Sequence, residues 1–116
     1  MSDPAQNPAN GPAVENLGPA EVKAGLDDGS ILLVDVREPK ETDLERIPGS
    51  VLVPLVGFDP AALPDPEGKR VVFSCRSGRR SVTASQLAQN AGLPYDAHLA
   101  GGILAWKAAG YDTESG

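Results

Sequence analysis

Short apolar runs alternate along this chain with segments in which apolar residues recur every three or four positions. The runs are typical of strands covered on both faces, and the spacing is typical of helices with one buried face. The predicted strands are 31–34, 51–53, 71–74 and 97–99, with 71–74 as the third buried strand. The predicted helical segments are 19–28, 39–44, 58–63, 79–91 and 103–109. Their alternation predicts an α/β fold, a small parallel sheet of about five strands with helices on both faces.

The N-terminal residues lack this periodicity and are mostly Pro, Asn, Ala, Gly and Gln. We expect residues 1–13 to form a flexible leader, because such a composition buries little apolar surface. Residues 14–116 are expected to form a single domain, since a chain of 116 residues can bury one hydrophobic core but not two. Any active site must therefore be carried by one sheet-and-helix unit or be shared with another subunit.

Acidic residues outnumber basic ones by 16 to 10, which gives a net charge of -6. This balance argues against nucleic acid or an anionic membrane as the main partner. Arg76, Arg79 and Arg80 form a local basic cluster, which against an acidic background suits a small anion. No stretch has the apolar length of a membrane span, and the residues after Met1 lack the basic and apolar regions of a signal peptide. We therefore expect a cytoplasmic protein.

Cys75 is the only cysteine of the chain and stands between the apolar run 71–73 and the segment 76–80, RSGRR. A lone thiol can form neither an internal disulfide nor the paired ligands of a zinc site. The nearby arginine charges and the positive end of a following helix would both stabilise a thiolate. The pattern indicates a nucleophile, and the alternative is a buried cysteine that only fills the core.

Two residues with ionisable side chains come directly after predicted parallel strands. Asp35 comes directly after the strand 31–34, and Cys75 directly after the strand 71–74. Ligands of open parallel sheets bind outside the carboxyl ends of the strands. We therefore expect Cys75 and Asp35 to lie at one edge of the sheet.

Four motifs in order carry a family resemblance: VDVREP at 34–39, IPGS at 47–50, CRSGRRS at 75–81, and LAGG at 99–102 followed by Trp106. Together they resemble the single-domain rhodanese family of sulfurtransferases, over residues from about 17 to 111. Each motif alone is common, but four motifs in register, with the cysteine between a strand and a helix, are specific.

The resemblance implies a sulfur transfer in two steps. The Cys75 thiolate would attack the outer sulfur of a small anionic donor such as thiosulfate, and the persulfide would pass that sulfur to an acceptor such as cyanide or a protein. Backbone N–H groups of the loop would hold the persulfide, namely those of Arg76, Ser77, Gly78, Arg79 and Arg80. A non-enzymatic sulfur carrier or protein-interaction module remains the alternative, because a carrier needs the same persulfide.

The arginines and the strand end are expected to have different roles. Arg76 and Arg79 would meet the anionic donor from solvent, because outward loop positions present them beside the thiol. Arg80 opens the helix, and we expect it to reach inward and pair with Asp35. Asp35 and Arg37 are therefore interpreted as structural support.

Cys75 through Arg80 make a loop of six residues. The resemblance implies that the sulfur enzymes use a loop of this length, whereas related dual-specificity phosphatases use one that is a residue longer. A shorter ring suits the smaller sulfane sulfur. Phosphatase or arsenate chemistry is therefore the less favoured alternative.

The chain also departs from the family, because Glu45-Arg46 stands where Gly-His is frequent and Thr42 where an aromatic residue is frequent. His98 is the sole histidine, and we interpret it as structural because no matching base lies near Cys75 in sequence.

Trp106 is interpreted as a core anchor for the last helix, with its N–H bound to one acceptor. The pair Gly101-Gly102 is interpreted as a tight turn that enters this helix. With no Cys or His cluster and no dinucleotide-binding glycine signature, we expect neither a metal nor an organic cofactor.

Overall fold

The computed structural model describes residues 11–115. The strands are β1 Glu15–Leu17, β2 Ile31–Asp35, β3 Val51–Leu52, β4 Arg70–Ser74 and β5 Ala97–Leu99. The helices are α1 Pro19–Asp28, α2 Pro39–Leu44, the 3-10 helix Pro60–Ala62, α3 Arg79–Asn90 and α4 Gly102–Ala108. No helix within 11–115 is long and apolar enough to cross a membrane. Most of the expected leader, residues 1–13, lies outside the described residues, so its flexibility stays a prediction.

All five strands form one parallel sheet in the order β1-β5-β4-β2-β3. The neighbours β2 and β4 pair along their whole length, from Ile31 opposite Arg70 to Asp35 opposite Ser74. This register brings the carboxyl ends of both strands to the same edge of the sheet. The predicted small parallel sheet is therefore confirmed.

A hydrophobic core covers each face of the sheet. On one face, α1 and α4 pack on a cluster that includes Leu33, Val72 and Trp106. On the other face, α3 packs on a cluster that includes Val34 and Phe73. Successive residues of a strand point to opposite faces, and both faces are covered here, so β2 and β4 have continuous apolar sequences. The prediction of helices on both faces is confirmed.

Trp106 anchors α4 as expected. It is 2% exposed, and its indole N–H donates to the carbonyl of Asp112 at 2.8 Å. Its ring packs against Tyr111, with 5.0 Å between ring centroids. The chain that follows α4 is thus held against the same core.

Three elements differ from the sequence prediction. The apolar pattern does not predict β1, because only Leu17 of its three residues is buried. The predicted strand 51–53 is present as β3, but the expectation that it is buried is wrong, since β3 lies at the sheet edge with Val51 38% and Leu52 37% exposed. The predicted helix 58–63 is reduced to a three-residue 3-10 helix.

Candidate active site

Cys75 is the first residue after β4 and is 1% exposed. The backbone N–H of Gly78 donates to the Cys75 Sγ at 3.0 Å. Gly78 has a φ of 106°, in the left-handed region that glycine tolerates, and it caps the N-terminus of the 12-residue α3. This curl places the sulfur at the positive end of a helix, where free N–H groups and the helix dipole favour a negative charge.

The carbonyl groups of the cysteine loop bind α4. The N–H of Ile103 donates to the Cys75 carbonyl at 3.0 Å, and the N–H of Leu104 donates to the Arg76 carbonyl at 3.2 Å. Gly102 packs so closely that a Cβ there would overlap both carbonyl oxygens. These contacts hold the loop against α4, with the N–H of Gly78 directed at the sulfur. The sequence analysis interprets Gly102 only as part of a tight turn and does not predict its contact with the cysteine loop. The Gly101-Gly102 pair, which follows a predicted strand, is the feature of the sequence that could have indicated such a close approach.

A chain of hydrogen bonds leads from Cys75 into the sheet. The Cys75 Sγ lies 3.5 Å from the Ser81 Oγ, which lies 2.8 Å from Nδ1 of His98. Nε2 of His98 lies 2.6 Å from Oδ1 of Asn16. Burial lowers the pKa of His98, so its ring is neutral at pH 7. Sequence reasoning does not bring His98 near Cys75, because the two residues meet only through Ser81 on α3.

Asp35 lies beside the cysteine loop, as expected, since it is opposite Ser74 on the neighbouring strand. Its carboxylate accepts hydrogen bonds from Nε of Arg37 at 3.0 Å and from Nη2 at 2.8 Å. Arg37 also donates to the carbonyl of Glu45 at 2.8 Å, and both members of the pair are 4% exposed. This buried pair links the end of β2 to the segment after α2, in keeping with a structural role.

Arg80 pairs with Glu41 of α2 through hydrogen bonds of 2.7 and 2.9 Å. The expected pair between Arg80 and Asp35 is therefore wrong, because Arg37 already donates to both oxygens of Asp35. Hydrogen bonds from Arg80 and from the backbone N–H of Glu38 lower the pKa of Glu41 to about 2. The pair links the first turn of α3 to α2 beside the cysteine loop.

Arg76, Ser77 and Arg79 are exposed at the surface of the loop. Arg76 lines a groove of about 320 Å³ whose walls include Leu44 and Leu104, which are 80% and 43% exposed. Within residues 11–115, neither Arg76 nor Arg79 forms an ion pair with a carboxylate. Both guanidinium groups are thus available to an anion in solution.

The Glu45-Arg46 pair, which departs from the family resemblance, holds the C-terminal segment. Glu45 accepts hydrogen bonds from Lys107 at 2.8 Å and from Thr113 at 2.7 Å. Arg46 and Glu114 exchange two backbone hydrogen bonds of 2.8 and 2.9 Å. These contacts fix one wall of the groove that Arg76 lines.

The arrangement combines a buried sulfur, an N–H donor directed at it and two exposed cations. These groups suit the capture of an anion and a nucleophilic attack by sulfur. Among residues 11–115, no group of three or more His, Cys, Asp or Glu side chains is placed to bind a metal ion.

The sequence model of the Rhodanese-like domain family matches residues 18–109, which include Cys75, its loop and His98. The chain belongs to the rhodanese-like domain family. The resemblance drawn from the four motifs is thereby confirmed. This rhodanese-like domain is similar to the thiosulfate:glutathione sulfurtransferase of Saccharomyces cerevisiae. The two are 32% identical over 101 residues, which cover 76% of this chain and 73% of the yeast protein.

Two solved structures share the fold of this rhodanese-like domain. The thiosulfate sulfurtransferase of Pseudomonas aeruginosa matches with a TM-score of 0.75 and 33% identity, over 89% of this chain and 20% of that chain. A Rhodopseudomonas palustris protein of unknown function, described as a possible tyrosine phosphatase, matches with a TM-score of 0.73 and 34% identity, over 87% and 85% of the two chains.

The rhodanese-like domain spans 54% and 27% of the length of two other curated relatives that it matches, from Synechocystis and Mycobacterium tuberculosis.

Proposed function

We propose that this domain is a sulfurtransferase that carries sulfane sulfur as a persulfide on Cys75. The observation that carries the proposal is the N–H of Gly78, 3.0 Å from the Cys75 Sγ at the N-terminus of α3. A donor directed at the sulfur and the positive end of a helix both favour the thiolate and the anionic persulfide. The yeast and Pseudomonas relatives, which are named sulfurtransferases, support the same class of reaction.

The reaction has two displacement steps. In the first, the Cys75 thiolate attacks the outer sulfur of thiosulfate, a new S–S bond forms, the S–S bond of the donor breaks, and sulfite leaves with its electron pair. In the second, an acceptor such as cyanide or a thiolate attacks the outer sulfur, and Cys75 leaves as a thiolate. Both steps use one covalent intermediate, so ping-pong kinetics are expected.

The residues around Cys75 have separate roles in this proposal. The backbone N–H groups of the loop 76–80 hold the negative persulfide. Arg76 and Arg79 attract the anionic donor, and their support is that both are exposed and unpaired within residues 11–115. The near-complete burial of Cys75 shields the reactive sulfur from water, so the outer sulfur of the donor must enter between the loop and its neighbours.

The test is to incubate the protein with thiosulfate and to look by mass spectrometry for the addition of one sulfur atom at Cys75. Cyanide is then added and thiocyanate is measured, with glutathione as a second acceptor because the yeast relative is named for it. We expect loading and turnover in the wild type and neither in Cys75→Ser. No loading from any sulfane donor would contradict the proposal and favour a protein-interaction module.

Two alternatives are separated by the same assay. Loading without transfer to cyanide or glutathione would indicate a sulfur carrier that serves a protein acceptor. Phosphatase chemistry is tested with an aryl phosphate, and we expect no hydrolysis because the loop from Cys75 to Arg80 has six residues. Hydrolysis that is lost in Cys75→Ser would favour the phosphatase.

The remaining expectations concern partners and location. The donor is a small anion and the acceptor is a small thiophile or a protein, whereas nucleic acid and membranes are not expected partners of a chain with a net charge of -6. A cytoplasmic location stays a prediction, and fractionation of cells of the source species tests it.

A further inference from the structure

We propose that Ser81 and His98 form a buried proton relay that accepts the thiol proton of Cys75. The relay deepens the proposed function, since it supplies the thiolate on which the sulfur transfer depends. Its members are Cys75 at the end of β4, Ser81 on α3, His98 on β5 and Asn16 on β1. Ser81 is fully buried and His98 is 4% exposed, so their polar groups have few alternatives to one another.

The direction of each hydrogen bond follows from the donors and acceptors in the chain. Oδ1 of Asn16 can only accept, so Nε2 of His98 carries the ring proton that points to it at 2.6 Å. In the neutral ring, Nδ1 then has a lone pair and accepts the hydroxyl proton of Ser81 at 2.8 Å. The lone pairs of Ser81 are left to face the Cys75 Sγ at 3.5 Å, where they accept the S–H of the thiol.

Ionisation of Cys75 reverses these hydrogen bonds. The S–H bond breaks and its proton moves to the Ser81 oxygen, while the original hydroxyl proton of Ser81 moves to Nδ1 of His98. The products are a thiolate that accepts a hydrogen bond from Ser81 and an imidazolium whose Nε2 proton is still held by Asn16. The transfer itself conserves protons, and its reverse restores the resting state. At higher pH the imidazolium, whose pKa burial lowers, releases its proton to solvent, so the thiolate remains and its formation depends on pH. Ser81 and His98 are thus positioning residues that act through the sulfur.

Few charged groups near His98 could change the protonation of its ring. Ser81 from α3, Asn16 from β1 and Gly78 of the loop approach its ring, and none of them is charged. Charged groups on the packed elements lie elsewhere, since Arg70 of β4 pairs with both Glu15 and Asp96, and Arg80 of α3 pairs with Glu41. Arg79, at the start of α3, is exposed at the surface. Within residues 11–115, Cys75 is therefore the titrating group to which His98 is connected.

The first test measures thiolate formation by ultraviolet absorbance against pH, with Cys75→Ser as the blank. Cys75 is the sole cysteine, so the signal belongs to one group. We expect Ser81→Ala to raise the midpoint pH of thiolate formation by about one unit, because the thiolate loses a hydrogen-bond donor. Ser85→Ala is the matched control, since it removes another buried serine hydroxyl from α3, bound to the Tyr95 carbonyl at 2.7 Å. The control should leave the midpoint unchanged.

A second variant keeps the test decisive if Ser81→Ala folds poorly. Asn16 is exposed on an edge strand, and Asn16→Asp places a carboxylate against Nε2 of His98, which stabilises the imidazolium. We expect this variant to lower the midpoint for Cys75 by about one unit. The shift should vanish when Asn16→Asp is combined with Ser81→Ala. A shift of equal size with and without Ser81 would show that charge acts through space, and it would overturn the relay.

The single histidine allows a direct check by ¹⁵N NMR of the imidazole ring. We expect the Nε2–H tautomer at pH 7 and a step in the His98 shifts at the pH where Cys75 ionises. The Nδ1–H tautomer at pH 7 would overturn the proposal, because Nδ1 would then have no lone pair to accept the proton of Ser81, and so would His98 shifts that do not respond to the ionisation. Sulfur loading is measured on the same samples. If Cys75 is loaded with sulfur but the variants do not shift the midpoint pH of thiolate formation, only the relay is rejected. If the variants shift this midpoint but no sulfur is loaded, only the sulfurtransferase function is rejected.

Discussion

Arg80 and Glu41 are joined by two hydrogen bonds of 2.7 and 2.9 Å between the first turn of α3 and α2. Their side chains are 34% and 24% exposed, so solvent screens the pair only in part. Because the cysteine loop runs directly into α3, this contact fixes the helix end on which the sulfur site is built.

We expect Glu41→Gln to lower the free energy of unfolding by about 1 kcal/mol at pH 7, since a two-pronged but partly exposed ion pair is lost. The pKa of Glu41 is lowered from 4.5 to about 2, chiefly by the hydrogen bonds from Arg80. A carboxylate with a lowered pKa stabilises the fold above its ordinary pKa, and this stabilisation disappears as the pH falls through the folded-state value. Urea unfolding at a series of pH values should therefore show the two proteins converging between about pH 4.5 and pH 2.

The control for this prediction is Asp27→Asn, which breaks an ion pair between Asp27 and Lys23 on α1. The Asp27 side chain is 62% exposed and the Lys23 side chain is 39% exposed. We expect it to change the free energy of unfolding by less than about 0.5 kcal/mol. A difference between wild type and Glu41→Gln that stays constant down to about pH 2 would rule out the ion pair as its cause.

The central strands and α3 are predictable because their own residues determine them. β2 and β4 are apolar on both faces, and Ala84 and Ala88 follow the helical period that packs α3 on the sheet. The edge strands are different. β1 has a single buried residue and forms by pairing with β5, so no local apolar pattern predicts it. The apolar residues of β3 predict the strand but not its half-exposed position at the sheet edge.

The site is predictable only as far as it depends on a strand end or a loop. Cys75 and Asp35 could be placed at one edge because the carboxyl ends of parallel strands coincide there. The partner of Arg80 could not be predicted from the sequence, because two carboxylates, those of Asp35 and Glu41, are candidates and only the packing of the helices decides between them. The contact of His98 with Ser81 likewise depends on how α3 lies over β5.

Gly102 is expected to be intolerant of a side chain. A Cβ at Gly102 would overlap the carbonyl oxygens of Cys75 and Arg76, and both belong to backbone that α4 already holds. We expect Gly102→Ala to displace the loop and to reduce the rate of sulfur loading by at least about tenfold, because misplaced donors no longer face the sulfur. The rate is measured by mass spectrometry after mixing with thiosulfate.

Gly110→Ala is the matched control for this change. Gly110 also has a positive φ, at 87°, but a Cβ there would meet nothing within 4 Å. It should cost about 1 kcal/mol of stability, as expected for alanine in a left-handed conformation, and should leave the loading rate unchanged. Equal losses of loading in both variants would refute a specific contact between Gly102 and the loop.

The buried pair of Asp35 and Arg37 is expected to support the fold rather than the chemistry. Asp35→Asn leaves the buried guanidinium without a full counter-charge, and we expect the free energy of unfolding to fall by about 3 kcal/mol. The double variant Asp35→Asn with Arg37→Met should regain part of this loss, since it removes both charges from the interior. Chemical denaturation of the three proteins measures the difference. Loading of Cys75 that failed in a variant that is still folded would instead assign Asp35 to the reaction.

The exposed arginines of the loop are expected to act on the binding of the anionic donor. We expect Arg76→Ala and Arg79→Ala each to raise the KM for thiosulfate by about threefold to tenfold with little change in kcat, because they attract the donor without touching the bond that breaks. Added salt should raise the wild-type KM more than that of either variant, since it screens the same attraction. Lys69→Ala is the control, because it removes an exposed positive charge from the amino-terminal edge of the sheet, next to Arg70. If Lys69→Ala raised the KM as much, the effect would belong to the net charge of the chain and not to the loop.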